Sequence, residues 1–218
     1  ALPISPMDIR NLHVSALALT LALASCAGSQ ATWGPGADDA AFAAMLQSGF
    51  RNAGPVTTER LKQDETQAFC SDPQLAGSKA AAKQAEAIEA ANLSAVKWPS
   101  DGKWLGDWKA GERIAQSGRG LTWTDAANQA NGGNCYNCHQ ISMAEISHGT
   151  LGPSLHGYAR LKGTDERALR DAWAKIWNSK SSNACSNMPR AGHMGILKEK
   201  DIQDLMALLF SPDSPVNK

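Results

Sequence analysis

Asn134-Cys135-Tyr136-Asn137-Cys138-His139 is the stretch on which the reading of this chain turns. A Cys-x-x-Cys-His run is the pattern of covalent c-type haem attachment, in which two thioether bonds fasten the porphyrin vinyls to Cys135 and Cys138. His139, next in line, then lies under the iron and supplies the proximal nitrogen. The order matters, because a short helical turn points both thiols at the ring edge and the imidazole at its centre. A bare Cys-x-x-Cys also suits a thioredoxin-like redox pair or half of a zinc site. Here no second Cys-x-x-Cys or His pair follows, and no βαβ pattern surrounds the run. The motif predicts one covalent haem c per chain.

Outward from the motif, alanine-rich and charged helical stretches are common and strand signals scarce, so an all-α fold is expected. The chain has 218 residues, with 21 basic and 21 acidic side chains and a formal net charge of zero. That size suits one or two soluble domains. Balanced charge gives no basis for nucleic-acid binding or a polybasic membrane surface. Seven tryptophans make up most of the small aromatic content.

Residues 1–31 read as a signal segment. Val14 to Ala24 is a short apolar core preceded by Arg10, too short to span a bilayer comfortably. Two cleavage readings compete. Leu23-Ala24-Ser25-Cys26 resembles a bacterial lipobox, which would leave a lipid-bearing Cys26, whereas Ser29-Gln30-Ala31 resembles an ordinary signal-peptidase site. Either way the protein is expected to be exported and periplasmic. With Cys26 set aside and Cys135 and Cys138 committed to haem, Cys70 and Cys185 remain. In an oxidising compartment two leftover cysteines suggest a disulfide, the alternative being two separate buried thiols.

Residues 32–98 read as a helical extension and 99–218 as a haem domain. In the extension, Asp38 to Gln47 is a short Ala-rich helix. A second helix runs from Thr57 to about Cys70, and a long one from Ser78 to Val96 with Ala87, Ala91, Ala95 and Ile88 as its apolar face. Trp98-Pro99 marks the boundary. Beyond it the pattern predicts a helix at Trp108 to Ser117, the haem turn, and an irregular stretch. Then come a helix from Thr164 bearing Leu169, Ala172, Trp173, Ile176 and Trp177, a methionine-bearing loop, and a last helix from Lys198 to Phe210. This order resembles a class I cytochrome c domain. A low-spin electron carrier needs a second axial ligand, commonly Met or His. Met188, in Asn187-Met188-Pro189-Arg190, is the first candidate and Met194 its rival, with His193, His148 and His156 weaker. The class I resemblance also gives Gly152-Pro153 a role, the Pro153 carbonyl supporting the proximal histidine's other nitrogen. An ordinary turn is the alternative.

Several segments together resemble the monohaem subunit of the SoxAX cytochromes of bacterial thiosulfate oxidation. These are Gln63 to Ser71, Gly132 to Gln140, Gly149 to Leu155, Cys185 to Arg190, and Ser214 to Asn217. Ala191 departs from the phenylalanine usual there, and Met194 stands where no ligand is expected. The resemblance implies a heterodimer with a haem-bearing A subunit that carries the catalytic centre. That complex joins thiosulfate oxidatively to a cysteine of a SoxYZ-like carrier protein, as an L-cysteine S-thiosulfotransferase. This chain would be its non-catalytic relay, passing electrons to a small acceptor cytochrome. The tryptophans around 98–123, Trp104 and Trp108 among them, would be either a docking face or core. A free-standing periplasmic class I cytochrome c is the alternative.

Overall fold

The computed structural model describes residues 37–72, 78–120, 122–126 and 128–218. The signal segment 1–31 and its Cys26 lie outside them. The chain divides into two compact units, residues 1–49 and 50–218. The described part of the first is a single helix, α1 (Ala37–Gly49).

In the second unit, a 3-10 turn (Thr58–Leu61) precedes α2 (Glu65–Ser71) and α3 (Lys79–Ser94). The helix expected from Thr57 to Cys70 is therefore broken. Asp64 is the cause: its carboxylate accepts the Gln67 amide while the Gln67 side chain bonds back to the Asp64 amide, a capping box that starts a new helix. Ser78 caps α3 in the same manner. The buried face of α3 is not the alanine stripe expected, since Ala87, Ala91 and Ala95 are exposed. Ala81 and Ile88 are buried instead, flanked by half-buried Glu89 and Asn92.

Next come α4 (Trp108–Gln116), a 3-10 turn (Cys135–Asn137), α5 (Tyr158–Lys162) and α6 (Glu166–Trp177). A 3-10 turn at Ser179–Ser181, α7 (Glu199–Phe210) and a last 3-10 turn (Pro215–Asn217) complete the chain. No strand occurs among the described residues, only an isolated bridge between Ala53 and Val56. The fold is all-α.

The core forms where α4, α6 and α7 meet. Trp173, Ile202, Met206, Leu208 and Val216 are fully buried there. The crossing of α4 on α7 depends on Gly111, where a β-carbon would come within 2.1 Å of the Asp204 carbonyl. The contact is closed by hydrogen bonds from the Gly106 amide to Gln203 O (2.8 Å) and from the Asp107 amide to the Asp204 carboxylate (2.7 Å). No break in packing falls at the boundary expected between 98 and 99, because Val96 and Trp98 belong to the same core. Trp104 stands edge-on between Trp98 and Trp173, with ring centroids 6.1 and 5.8 Å apart. Of these rings, Trp104 packs against the core and is half-buried. Trp123 is the exposed one, at 71%.

Candidate haem site

The site is built on the turn after α4. The Gly133 amide bonds to Ile114 O (2.7 Å) and the Asn134 amide to Ser117 O (3.0 Å), which ties the turn to the end of that helix. Asn134 adopts a left-handed conformation (φ 52°), a region asparagine tolerates better than most residues. It directs the chain into the 3-10 turn, where Cys138 and His139 both donate to Cys135 O, at 3.1 and 2.9 Å. This winding brings two thiols and an imidazole to one short segment. Neither Cys135 nor Cys138 is in a disulfide. Burial pushes the Cys135 thiol up to about 11.

His139 is oriented by the segment that follows. Its Nδ1 lies 2.7 Å from the Pro153 carbonyl. A carbonyl only accepts, so Nδ1 carries the proton and Nε2 keeps the lone pair available for a metal. Gly152 lies against the ring, and a β-carbon there would stand 2.2 Å from Cε1. The segment is pinned by the Gly152 amide to Cys138 O (2.8 Å), the Leu155 amide to Gln140 O (2.8 Å) and the Gly149 amide to Tyr136 O (2.9 Å). Two uncommitted thiols beside an imidazole of fixed tautomer are the donor set a covalently held haem requires, and the residues present fit that group.

The two methionine candidates differ in their surroundings. Met188 is half-buried; its carbonyl accepts from Ser179 Oγ at 2.6 Å and its amide donates to Ser186 Oγ at 3.2 Å. Met194 is 50% exposed, on a turn whose amide bonds to Arg190 O. His148 and His193 are exposed. His156 is half-buried, with an Nδ1 lacking a partner. The remaining cysteines, Cys70 and Cys185, form a disulfide across 115 residues of sequence. What sequence reasoning missed is the polar collar around that bridge, Asp64 with Arg190 and Glu89 with the Ala184 amide. Its one advance signal was Arg190 and Asp64 lying in the two segments that also carry the cysteines.

An all-α domain with a Cys-x-x-Cys-His turn under its first core helix defines a c-type cytochrome. The chain contains a cytochrome c domain, the family's model matching residues 124–211. It is also similar to a protein of Aquifex aeolicus (strain VF5) described as an uncharacterized lipoprotein. The two are 34% identical over 165 residues, covering 72% of this chain and 73% of the other. This is an electron-transfer haem protein with haem c bound covalently. Among the described residues no helix is long and apolar enough to cross a membrane.

Proposed function

We propose that this chain is the monohaem electron-relay subunit of a SoxAX-type L-cysteine S-thiosulfotransferase. Cys135 and Cys138 would hold one haem, His139 would be its proximal ligand and Met188 the sixth. When bound, the haem takes up and releases single electrons. The protein's own part is to fix the imidazole through Pro153, to seat the thioether of Met188 on a braced loop, and to enclose Cys135 in part. The observation that carries the reading is the Cys70–Cys185 bridge. It joins the two segments, Gln63 to Ser71 and Cys185 to Arg190, whose resemblance to the SoxAX subunit goes beyond the haem motif. The disulfide and the description of the Aquifex relative as a lipoprotein also support export to the periplasm.

In this reading electrons arrive from a haem-bearing A subunit, which acts on thiosulfate and a SoxYZ-like carrier, and leave to a small acceptor cytochrome. The relay itself supplies no acid, base or nucleophile. The test is reconstitution of the chain with an A subunit, thiosulfate, the carrier and an acceptor cytochrome. Thiosulfate-dependent acceptor reduction should need both subunits, and the chain alone should be inert. Turnover by the isolated chain, or no binding to the A subunit at micromolar concentration, defeats the proposal. A free-standing periplasmic carrier is the second reading. It gains from one observation: Trp98 and Trp104 pack against the core and against each other, which leaves little of their rings for docking. A carrier would exchange electrons with an acceptor cytochrome and retain no A subunit on co-purification.

The ligand assignment has its own test. Met188→Ala should give a high-spin or ligand-exchangeable iron, and Met194→Ala a nearly unchanged spectrum. The reverse pattern moves the assignment to Met194.

A further inference from the structure

The segment from Asn178 to Arg190 joins α6 to α7 and carries Met188. Apart from the turn at Ser179–Ser181 it has no regular structure of its own. Some of its bonds are internal: Ser179 Oγ to Met188 O, and Lys180 Nζ to the carbonyls of Ala184 and Ser186, both at 3.0 Å. These shape the loop but do not anchor it. The anchors come from α2, α3 and the Asp64 cap. Arg190, only 8% exposed, is paired with Asp64. Cys185 is bonded to Cys70. The Ala184 amide donates to Glu89 Oε1 at 2.9 Å, and Asn178 Nδ2 donates to Asn92 Oδ1 at 2.8 Å. The attachment points bracket Met188, with Cys185 three residues before it and Arg190 two after.

We infer that α2 and α3 form a clamp that positions the sixth ligand, with Asp64, Cys70, Glu89 and Asn92 as positioning residues. The inference rests on the Met188 reading. A thioether on an unanchored loop leaves its metal as often as the loop opens, and loop opening is set by the free energy of the ties. Here one tie is covalent, two involve a charged side chain and one is a hydrogen bond between two amides. Arg190 is buried and would be left without its countercharge if Asp64 were neutralised. The side chain of Asn92 also donates to Ile88 O (2.8 Å), which orients its oxygen toward Asn178. α2 and α3 are thereby the rear wall of the ligand loop, and the polar stripe on α3 has a purpose other than area burial.

The experiment uses the haem-loaded protein and follows binding of free imidazole to the ferric iron, together with the thioether-to-iron charge-transfer band. A Cys70→Ala, Cys185→Ala double variant and Asp64→Asn are compared with Lys62→Ala, which removes an exposed pair on the same extension. Both clamp variants should take up imidazole about tenfold faster, the ratio expected if each loses about 1.4 kcal/mol of closure. Lys62→Ala should match the unmodified protein. A lower melting temperature with unchanged imidazole uptake would overturn the inference, because a merely structural brace predicts that. Should the double variant fail to accumulate, reducing the purified protein with a phosphine gives the same comparison. If Met188→Ala retains the band, the ligand reading fails and the clamp with it. If Met188→Ala loses the band while both clamp variants behave as unmodified, the clamp alone fails.

Discussion

The imidazole of His139 is held between a carbonyl and a glycine, and each contact has a separate physical consequence. Pro153 sets the tautomer. Gly152 sets the distance, since a β-carbon would meet the ring at 2.2 Å and the 149–155 segment is pinned by backbone hydrogen bonds. Gly152→Ala should therefore cost about 1–3 kcal/mol, measured by denaturant unfolding, and lower the yield of haem-stained protein. Asp64 yields a prediction in pH. Burial alone would raise its carboxyl, but the Gln67 amide, the Arg190 pair and the His193 charge outweigh it, and the group lies below its ordinary 3.8. A depressed carboxylate contributes stability that is complete above 3.8 and is lost as pH falls through the lower folded value. The stability gap between the unmodified protein and Asp64→Asn should be open above about pH 5 and close in acid below that. A gap that persisted at the acid end would mean the pair contributes nothing. At this scale the sequence was informative where chemistry is local. The haem turn needs three residues in order, and it was readable from them; a salt bridge from Asp64 to Arg190 leaves no trace in spacing.

Among the elements, those with a clean apolar stripe were readable and those held by polar contacts were not. Trp108 to Gln116, Glu166 to Trp177 and Glu199 to Phe210 repeat apolar residues at helical spacing, and each lies within a residue or two of where periodicity placed it. The existence of α3 was equally plain from its composition. Its orientation was not, because Glu89 and Asn92 sit on the inward side and are satisfied by the 178–184 segment. Five-residue α5 begins from Gly157 at φ 69° and is too short to show a period. The Thr57 to Cys70 stretch reads in sequence as one helix because propensity does not reveal which of several capping residues wins. The decisive element contact is α4 on α7. Gly111→Ala would place a methyl 2.1 Å from the Asp204 carbonyl, which is backbone within a helix and cannot swing aside. The helices must separate, so this substitution should lower the melting temperature and cost at least about 1–3 kcal/mol in denaturant unfolding. An unchanged transition would show that the crossing adjusts freely.

At the scale of the whole molecule, the distinction between a relay in a stable complex and a free carrier becomes a question of how the surface attracts its partner. Fold and cofactor class followed from one hexapeptide and three periodic helices, because a covalent haem fixes the local geometry around it. Partner choice did not, since it depends on which side chains the tertiary packing leaves outside. The tryptophans illustrate this: similar in sequence, Trp104 is enclosed by two other rings while Trp123 is 71% exposed. With 21 acidic and 21 basic residues the chain has no net charge to draw a partner from a distance. Long-range steering is what salt suppresses, with a screening length of about 10 Å at 0.1 M ionic strength. A carrier that finds its partners through opposed charged faces loses association rate steeply as salt rises. Electron exchange between this chain and an A subunit should instead depend weakly on ionic strength, falling less than about tenfold between low and physiological salt. Stopped-flow reduction of the chain at a series of salt concentrations measures this directly. A steep fall would reveal a charged docking face hidden within the neutral total, and would favour the free carrier over the bound relay.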